Sequence, residues 1–184
     1  NQRSSWQTSF RKLLLQVLPY PQRLRALLQP LRAYAGTPLQ QLARRSGLTR
    51  LFGPEIEAME QLLPPLVPES FSDRLPQINP ASSKRRGRVA LLLGCVQRCF
   101  DPSVSTATVK VLQANGFEVV IPPEQGCCGA VSHHQGELEI TRQLAIDLIR
   151  SMNAIQGELD AVLVAASGCG HTMKAYGELL NGKA

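Results

Sequence analysis

"RVALLLGC", residues 88–95, decides how this chain is read. Its apolar run is continuous rather than alternating, the pattern of a strand buried on both faces. It runs directly into Gly94-Cys95. The same grammar recurs twice. "FEVVIP" (117–122) leads to Gly126-Cys127-Cys128-Gly129, and "DAVLVAASG" (160–168) leads to Cys169-Gly170. Helical segments separate these runs. "DPSVSTATVKVLQANG" (101–116) has Asp101 as cap, Pro102 at the first helical position and Asn115-Gly116 as stop. "GELEITRQLAIDLIRSMNA" (136–154) carries a stripe of Leu138, Leu144, Ala145, Leu148 and Met152, and "HTMKAYGELL" (171–180) begins a third helix. Strand–helix alternation predicts an α/β unit over 87–184, a parallel sheet in the order βαβαβα with crossover helices.

That fold has a chemical consequence. In a parallel sheet every carboxyl end lies on one edge, where ligands bind. Cys95, Cys127, Cys128 and Cys169 are therefore expected at one place, although they are far apart in sequence. Adjacent cysteines in a strand would point to opposite faces, and a disulfide between them would be strained. In a glycine-bracketed turn the two thiols of Cys127 and Cys128 can face one centre. Helix starts follow these turns, and their dipoles favour thiolate over thiol.

All five cysteines lie in this half of the chain, the fifth being Cys99. An odd count without a secretory signal argues for metal or redox chemistry over a disulfide framework. Four soft sulfur donors suit an iron–sulfur cluster or zinc. Zinc sites usually show a C-x2–4-C knuckle, which only Cys95-x3-Cys99 offers. A directly adjacent pair fits a multi-atom cluster better, since its sulfurs can reach different irons. The bland alternative is four small hydrophobes at strand ends, and for Cys99 that alternative is the better reading. His133 and His134 are ligands, proton donors or solvated caps. His171, two residues from Cys169 at a helix start, is a neighbour of the site and not a ligand. A thiol enzyme, with Cys127 or Cys128 as nucleophile and His133 or His134 as base, is the rival class. It lacks an acid to orient the base.

The N-terminal half differs. Residues 1–86 read as a helical arm followed by a basic linker. "SSWQTSFRKLLLQVL" aligns Trp6, Phe10, Leu13, Leu14 and Val17 behind a cap at Ser4 or Ser5. Pro21 opens a second helix with Leu24, Leu27, Leu28 and Leu31, and "PLQQLARRSG" and "PEIEAMEQLL" repeat the proline start. The stretch 64–88 holds five prolines and ends in basic residues, the composition of a linker. Residues 1–88 carry 14 Lys/Arg against 5 Asp/Glu, a balance of +9, while 89–184 carry 6 against 9, a balance of −3. The arm has neither interleaved aromatics nor a nucleic-acid-binding motif, so no nucleic-acid partner is expected. Short proline-broken helices have little core of their own, and the arm is expected to pack on partner subunits or on a module absent from this sequence. No run approaches the ~18 apolar residues of a membrane span, and no signal peptide is apparent. A cytoplasmic protein, and a piece of a longer chain since it begins at Asn1, is the expectation.

The phrases "GCVQRC", "GCCGAVSHHQGE" and "ASGCGHTMKAYGELL" resemble, in order, the cysteine-rich CCG module of the B-type heterodisulfide reductase polypeptide and its relatives. Residues 88–180 and the helices before them are more closely similar to the middle of glycolate oxidase iron–sulfur subunits. The resemblance implies a cluster, of 4Fe-4S type, held by Cys95, Cys127, Cys128 and Cys169, with Gly126, Gly129, His133 and His171 around it. It implies an electron-transfer role, from a flavin-containing subunit that oxidises glycolate to a membrane or quinone acceptor, with peripheral contact on the inner face of the cell membrane. The fragment itself is expected not to oxidise glycolate, for it has no G-x-G-x-x-G fingerprint. Family members also carry a ferredoxin-like module and a second CCG repeat, which this sequence lacks, so it reads as a central fragment containing the first repeat. One departure stands out. The broader module often closes with C-x2-C, whereas Thr172 occupies that position after Cys169.

Overall fold

The structure, a computed structural model, describes residues 5–181, and side chains from Ser9 onward. The arm comprises α1 (Ser5–Val17), α2 (Pro21–Leu28), α3 (Pro38–Ser46) and α4 (Pro54–Gln61), joined by short 3₁₀ turns. Proline opens α2, α3 and α4, where its missing N–H has no intrahelical partner to lose. Ser5 is the first residue of α1; Ser4 and the side chain of Trp6 lie outside the described residues.

The sheet has four strands: β1 (Ile78–Asn79), β2 (Gly87–Leu92), then, after the short helix α5 (Gln97–Phe100) and α6 (Pro102–Ala114), β3 (Phe117–Val120). The chain continues through α7 (Ala130–His134), α8 (Leu138–Asn153), β4 (Ala161–Val164), α9 (Ser167–Lys174) and α10 (Tyr176–Leu180). The order across the sheet is β1-β3-β2-β4, with β2 parallel to both β3 and β4. The expected parallel α/β unit is present. One strand is additional: β1, from the proline-rich stretch, pairs antiparallel with β3 through Ile78–Val120 and Asn79–Val119. Two residues are too few to give a period, which is why the composition signalled a linker there.

β2 is central and buried on both faces, as its continuous apolar run requires. Val89, Leu91 and Leu93 face Val109 of α6 together with Val119 and Ile121. Leu92 faces the other way, onto Leu148 of α8, Cys128 and Ala130. A fully buried side chain such as Leu91 contributes about 1.5–3 kcal/mol. On α8, Leu144, Ala145 and Leu148 are buried as the stripe predicts, whereas Leu138 is 43% exposed and Thr141 takes the buried place one turn on.

The arm packs on the cysteine-rich half of its own chain. Leu24, Leu28, Ala35 and Leu66 form one buried cluster with Cys99, flanked by Val96 and Phe100. The outer face remains open: Leu27, Leu39, Leu42, Leu48, Leu51 and Phe52 are exposed. Among the described residues no helix is long and apolar enough to cross a membrane.

Candidate functional site

The carboxyl ends of β2, β3 and β4 deliver their cysteines to one cavity of about 270 Å³, lined by Cys95, Cys127, Cys128 and Cys169. Cys95 sits in a turn after β2, and Cys127 and Cys128 in the irregular loop after β3. Cys169 lies inside the first turn of α9, which begins at Ser167, four residues earlier than "HTMK" suggests. All four thiols are free. Cys95 and Cys127 are in contact, Sγ to Sγ 3.2 Å, well beyond the ~2.05 Å of a disulfide.

Gly94 and Gly129 adopt the left-handed conformation, φ +73° and +79°, that non-glycine residues resist. At Gly129 an added Cβ would also meet the Thr141 carbonyl oxygen at 3.2 Å. Gly126 and Gly168 are different. Neither has positive φ, and a Cβ at either position would enter open space. Gly168 lines the cysteine cavity, so it keeps volume free there instead of permitting a turn.

The four sulfurs divide into two kinds. Hydrogen bonding from Cys127 and then Cys169 holds the Cys128 pKa down to about 3, and contact with Cys127 lowers that of Cys95. Cys127 is pushed up because it keeps the proton between its neighbours Cys128 and Cys95, and Cys169 is pushed up by its bond to Cys128 and by burial. The Gly129 N–H donates to Cys127 Sγ at 3.3 Å. Tyr176 donates its hydroxyl to the Cys128 carbonyl at 2.8 Å, and burial followed by the nearby thiols raises its own pKa.

The donor set fits an iron–sulfur group. Soft sulfurs, two of them with pKa values lowered by contact with neighbouring thiols, line a cavity whose remaining wall includes Gly94, Ala130, Val131, Ala166 and Gly168. Among the described residues no three His, Cys, Asp or Glu side chains converge as a site for a single metal ion. Thr172 is fully buried, and its Oγ1 has no hydrogen-bond partner among the described residues.

The histidines rank differently from the sequence expectation. His134 lines the cavity. His171 stacks on it with ring centroids 6.3 Å apart, and His133 stacks on it at 5.7 Å. His133 Nδ1 is buried without a hydrogen-bond partner among the described residues. Cys99 is fully buried against the arm, outside the cavity, and burial raises its pKa.

Sequence reasoning missed the residues that fix the loops. Gln125, buried directly before Gly126-Cys127, accepts the Leu93 N–H at 2.7 Å and donates to Leu91 O at 3.2 Å and Pro122 O at 3.3 Å. It ties the β3 loop to the end of β2. Arg98 and Asp73 complete that arrangement. A polar residue beside a strand-end cysteine was the available signal.

Comparison with known proteins agrees with this geometry. Residues 6–63 match the family described as the linker region of the glycolate oxidase iron–sulfur subunit, and residues 89–174 match the cysteine-rich domain family. A probable glycolate oxidase iron–sulfur subunit of Bacillus subtilis (strain 168) is 33% identical over 165 residues, covering 90% of this chain and 37% of that protein. The glycolate oxidase iron–sulfur subunit of Escherichia coli (strain K12) is 35% identical over 129 residues, covering 67% of this chain and 32% of its own length. A polypeptide of the CoM/CoB fumarate reductase of Methanothermobacter marburgensis is 35% identical over 107 residues, 56% of this chain and 20% of that one. The chain thus spans about a third of the length of the glycolate oxidase subunits it matches. No solved structure matches it. Residues 89–174 thus belong to the CCG cysteine-rich domain family, and residues 6–63 to the linker family described for the glycolate oxidase iron–sulfur subunit.

Proposed function

We propose that this chain is an electron-transfer segment, holding an iron–sulfur cluster of 4Fe-4S type on Cys95, Cys127, Cys128 and Cys169. The observation that carries this reading is the convergence of four free thiols from three strand ends on one cavity of about 270 Å³. That is several times the ~30 Å³ of a water molecule, so there is room for more than a single ion. When bound, the cluster supplies one-electron chemistry at a potential set by its surroundings. The protein's part is to place thiolates, exclude water with the apolar wall and hold the loops through Gln125 and Tyr176. Two relatives named as glycolate oxidase iron–sulfur subunits support a place in a multi-subunit oxidase. In that setting a flavin-containing, glycolate-oxidising subunit is the electron donor, and a membrane or quinone acceptor takes the electrons at the inner face of the membrane.

The test is anaerobic reconstitution with ferrous iron and sulfide. The loaded protein is expected to be brown, to contain iron and acid-labile sulfide in near-equal amounts, and to lose them on Cys128→Ser or Cys127→Ser. It is also expected not to reduce an artificial acceptor with glycolate until a flavin subunit is added. A colourless protein that takes up zinc with four thiolates would overturn the cluster. Glycolate turnover by the chain alone would overturn the carrier role.

A further inference from the structure

Arg98 is the one charged side chain that is buried among the described residues. Its guanidinium is held on three sides. Nε donates to Gly94 O at 3.2 Å, Nη2 donates to Gln125 Oε1 at 3.1 Å, and Nη1 faces Asp73 Oδ2 at 3.5 Å. Gly94 immediately precedes Cys95, and Gln125 stands two residues before Cys127. One planar fork therefore bridges the two cysteine loops, which a lysine's point charge does not do.

The carboxylate is shared. Arg25 of α2 places Nη2 2.6 Å from Asp73 Oδ1 and Nη1 3.2 Å from Oδ2. Two guanidinium groups thus meet one carboxylate, leaving a net charge of +1 beside the cysteine loops. The Arg98 and Arg25 side chains are 7% and 14% exposed, so their charge is screened less than charge at the surface, while Asp73 is 37% exposed. Each electron accepted by a cluster adds one negative charge there, which an uncompensated positive charge stabilises.

We propose that Arg98 positions the Cys95 and Cys127 loops for the cluster, and that the Arg25–Asp73–Arg98 triad raises the cluster's affinity for an electron. This rests on the cluster assignment made above. The triad joins three parts of the chain: the arm through Arg25, the proline-rich stretch through Asp73 and the site through Arg98. Its charge is therefore adjustable at Arg25 and Asp73, which lie outside the four cavity cysteines but line a neighbouring pocket with Cys127. Asp73→Asn and Arg25→Met alter the charge and leave the Arg98 contacts to Gly94 and Gln125 in place, so iron and sulfide content, measured for each variant, reports any loss of positioning through the Asp73 contact to Arg98.

The experiment uses the protein reconstituted with ferrous iron and sulfide. Iron and sulfide content is measured, and the midpoint potential is read by electron paramagnetic resonance during titration with dithionite, which donates the electron. Asp73→Asn leaves a charge of +2, and the one-electron affinity is expected to rise at least tenfold, a shift of about 59 mV upward. Arg25→Met neutralises the triad, and a shift of comparable size downward is expected. Arg98→Lys keeps the charge but not the fork, and the cluster content is expected to fall by more than half. Unchanged potentials in loaded Asp73→Asn and Arg25→Met proteins would overturn the charge role. Full cluster content in Arg98→Lys would overturn the positioning role. A wild-type protein that takes up no iron and sulfide would instead overturn the cluster assignment, so the two failures are distinguishable.

Discussion

Cys99 Sγ lies 3.6 Å from the Cys95 carbonyl oxygen, one helical turn along, yet the two side chains serve different compartments. Cys95 lines the cavity, whereas Cys99 is enclosed by Leu24, Leu28, Ala35 and Leu66, with the Pro21 carbonyl 3.9 Å from its sulfur. Cys99→Ser places a hydroxyl in that apolar setting and is expected to cost about 1–3 kcal/mol of stability, measured by urea unfolding. Iron content is expected to stay at the wild-type level, which separates it from the four cavity cysteines. Burial raises the Cys99 pKa in the folded state. Its contribution to stability is therefore full below the unfolded thiol value, near ~8.5, and is lost as pH rises toward the folded value. Cys99→Ala is expected to flatten that alkaline decline.

The glycines around the cysteine pair make a paired prediction. Gly129→Ala must adopt a left-handed conformation and press on the Thr141 carbonyl. A cost of at least ~1–2 kcal/mol is expected, together with poorer loading. Gly126→Ala meets nothing within 4 Å and has an ordinary φ, so thermal unfolding is expected to be nearly unchanged. Equal damage at both positions would show that Gly126 faces something other than this chain.

Loading is expected to release protons. The pKa values of Cys127 and Cys169 are raised by their neighbours, while that of Cys128 is lowered by hydrogen bonding from Cys127 and Cys169. Metal ligands must be thiolates, so protons compete with metal. Apparent affinity is expected to rise with pH, about tenfold per pH unit for each proton displaced. Reconstitution with limiting ferrous iron and sulfide, followed by the thiolate-to-iron charge-transfer absorbance at several pH values around neutrality, checks the sign. Affinity that falls as pH rises would contradict it.

Tyr176→Phe removes the hydroxyl that holds the Cys128 carbonyl and nothing else from that contact. The expected loss is about 0.5–1.5 kcal/mol, with the loop after β3 exchanging its amide hydrogens faster. Hydrogen-exchange mass spectrometry over residues 124–130 is the measurement.

What the sequence made legible was long and periodic, or chemically marked. β2, β3 and β4 were readable because continuous apolar runs end at glycine and cysteine, and parallel topology then forced the cysteines together. Pro102 and Asn115-Gly116 placed the two ends of α6 to within a residue. β1 was not readable, because a two-residue strand is defined by its partner β3 and carries no period of its own. The start of α9 was obscured by Gly168 and Gly170, which look like loop residues but sit inside a helix. Gln125 and Arg98 were invisible as a pair, since their meaning lies in a contact across 27 residues. His134 outranks His133 at the cavity for a similar reason: helical phase in a five-residue helix is not set by sequence.

The stretch between arm and sheet bears on reach. Gln77 accepts the Ile121 N–H at 2.8 Å, Ser82 donates its N–H to Gln113 O at 3.0 Å, and Arg86 donates its N–H to Gly116 O at 2.7 Å. With Asp73 pinned as well, the segment is a strut, not a leash. A leash would present its cargo at an effective concentration governed by length. A strut fixes one distance and one angle, so the arm is held at a constant separation from the sulfurs.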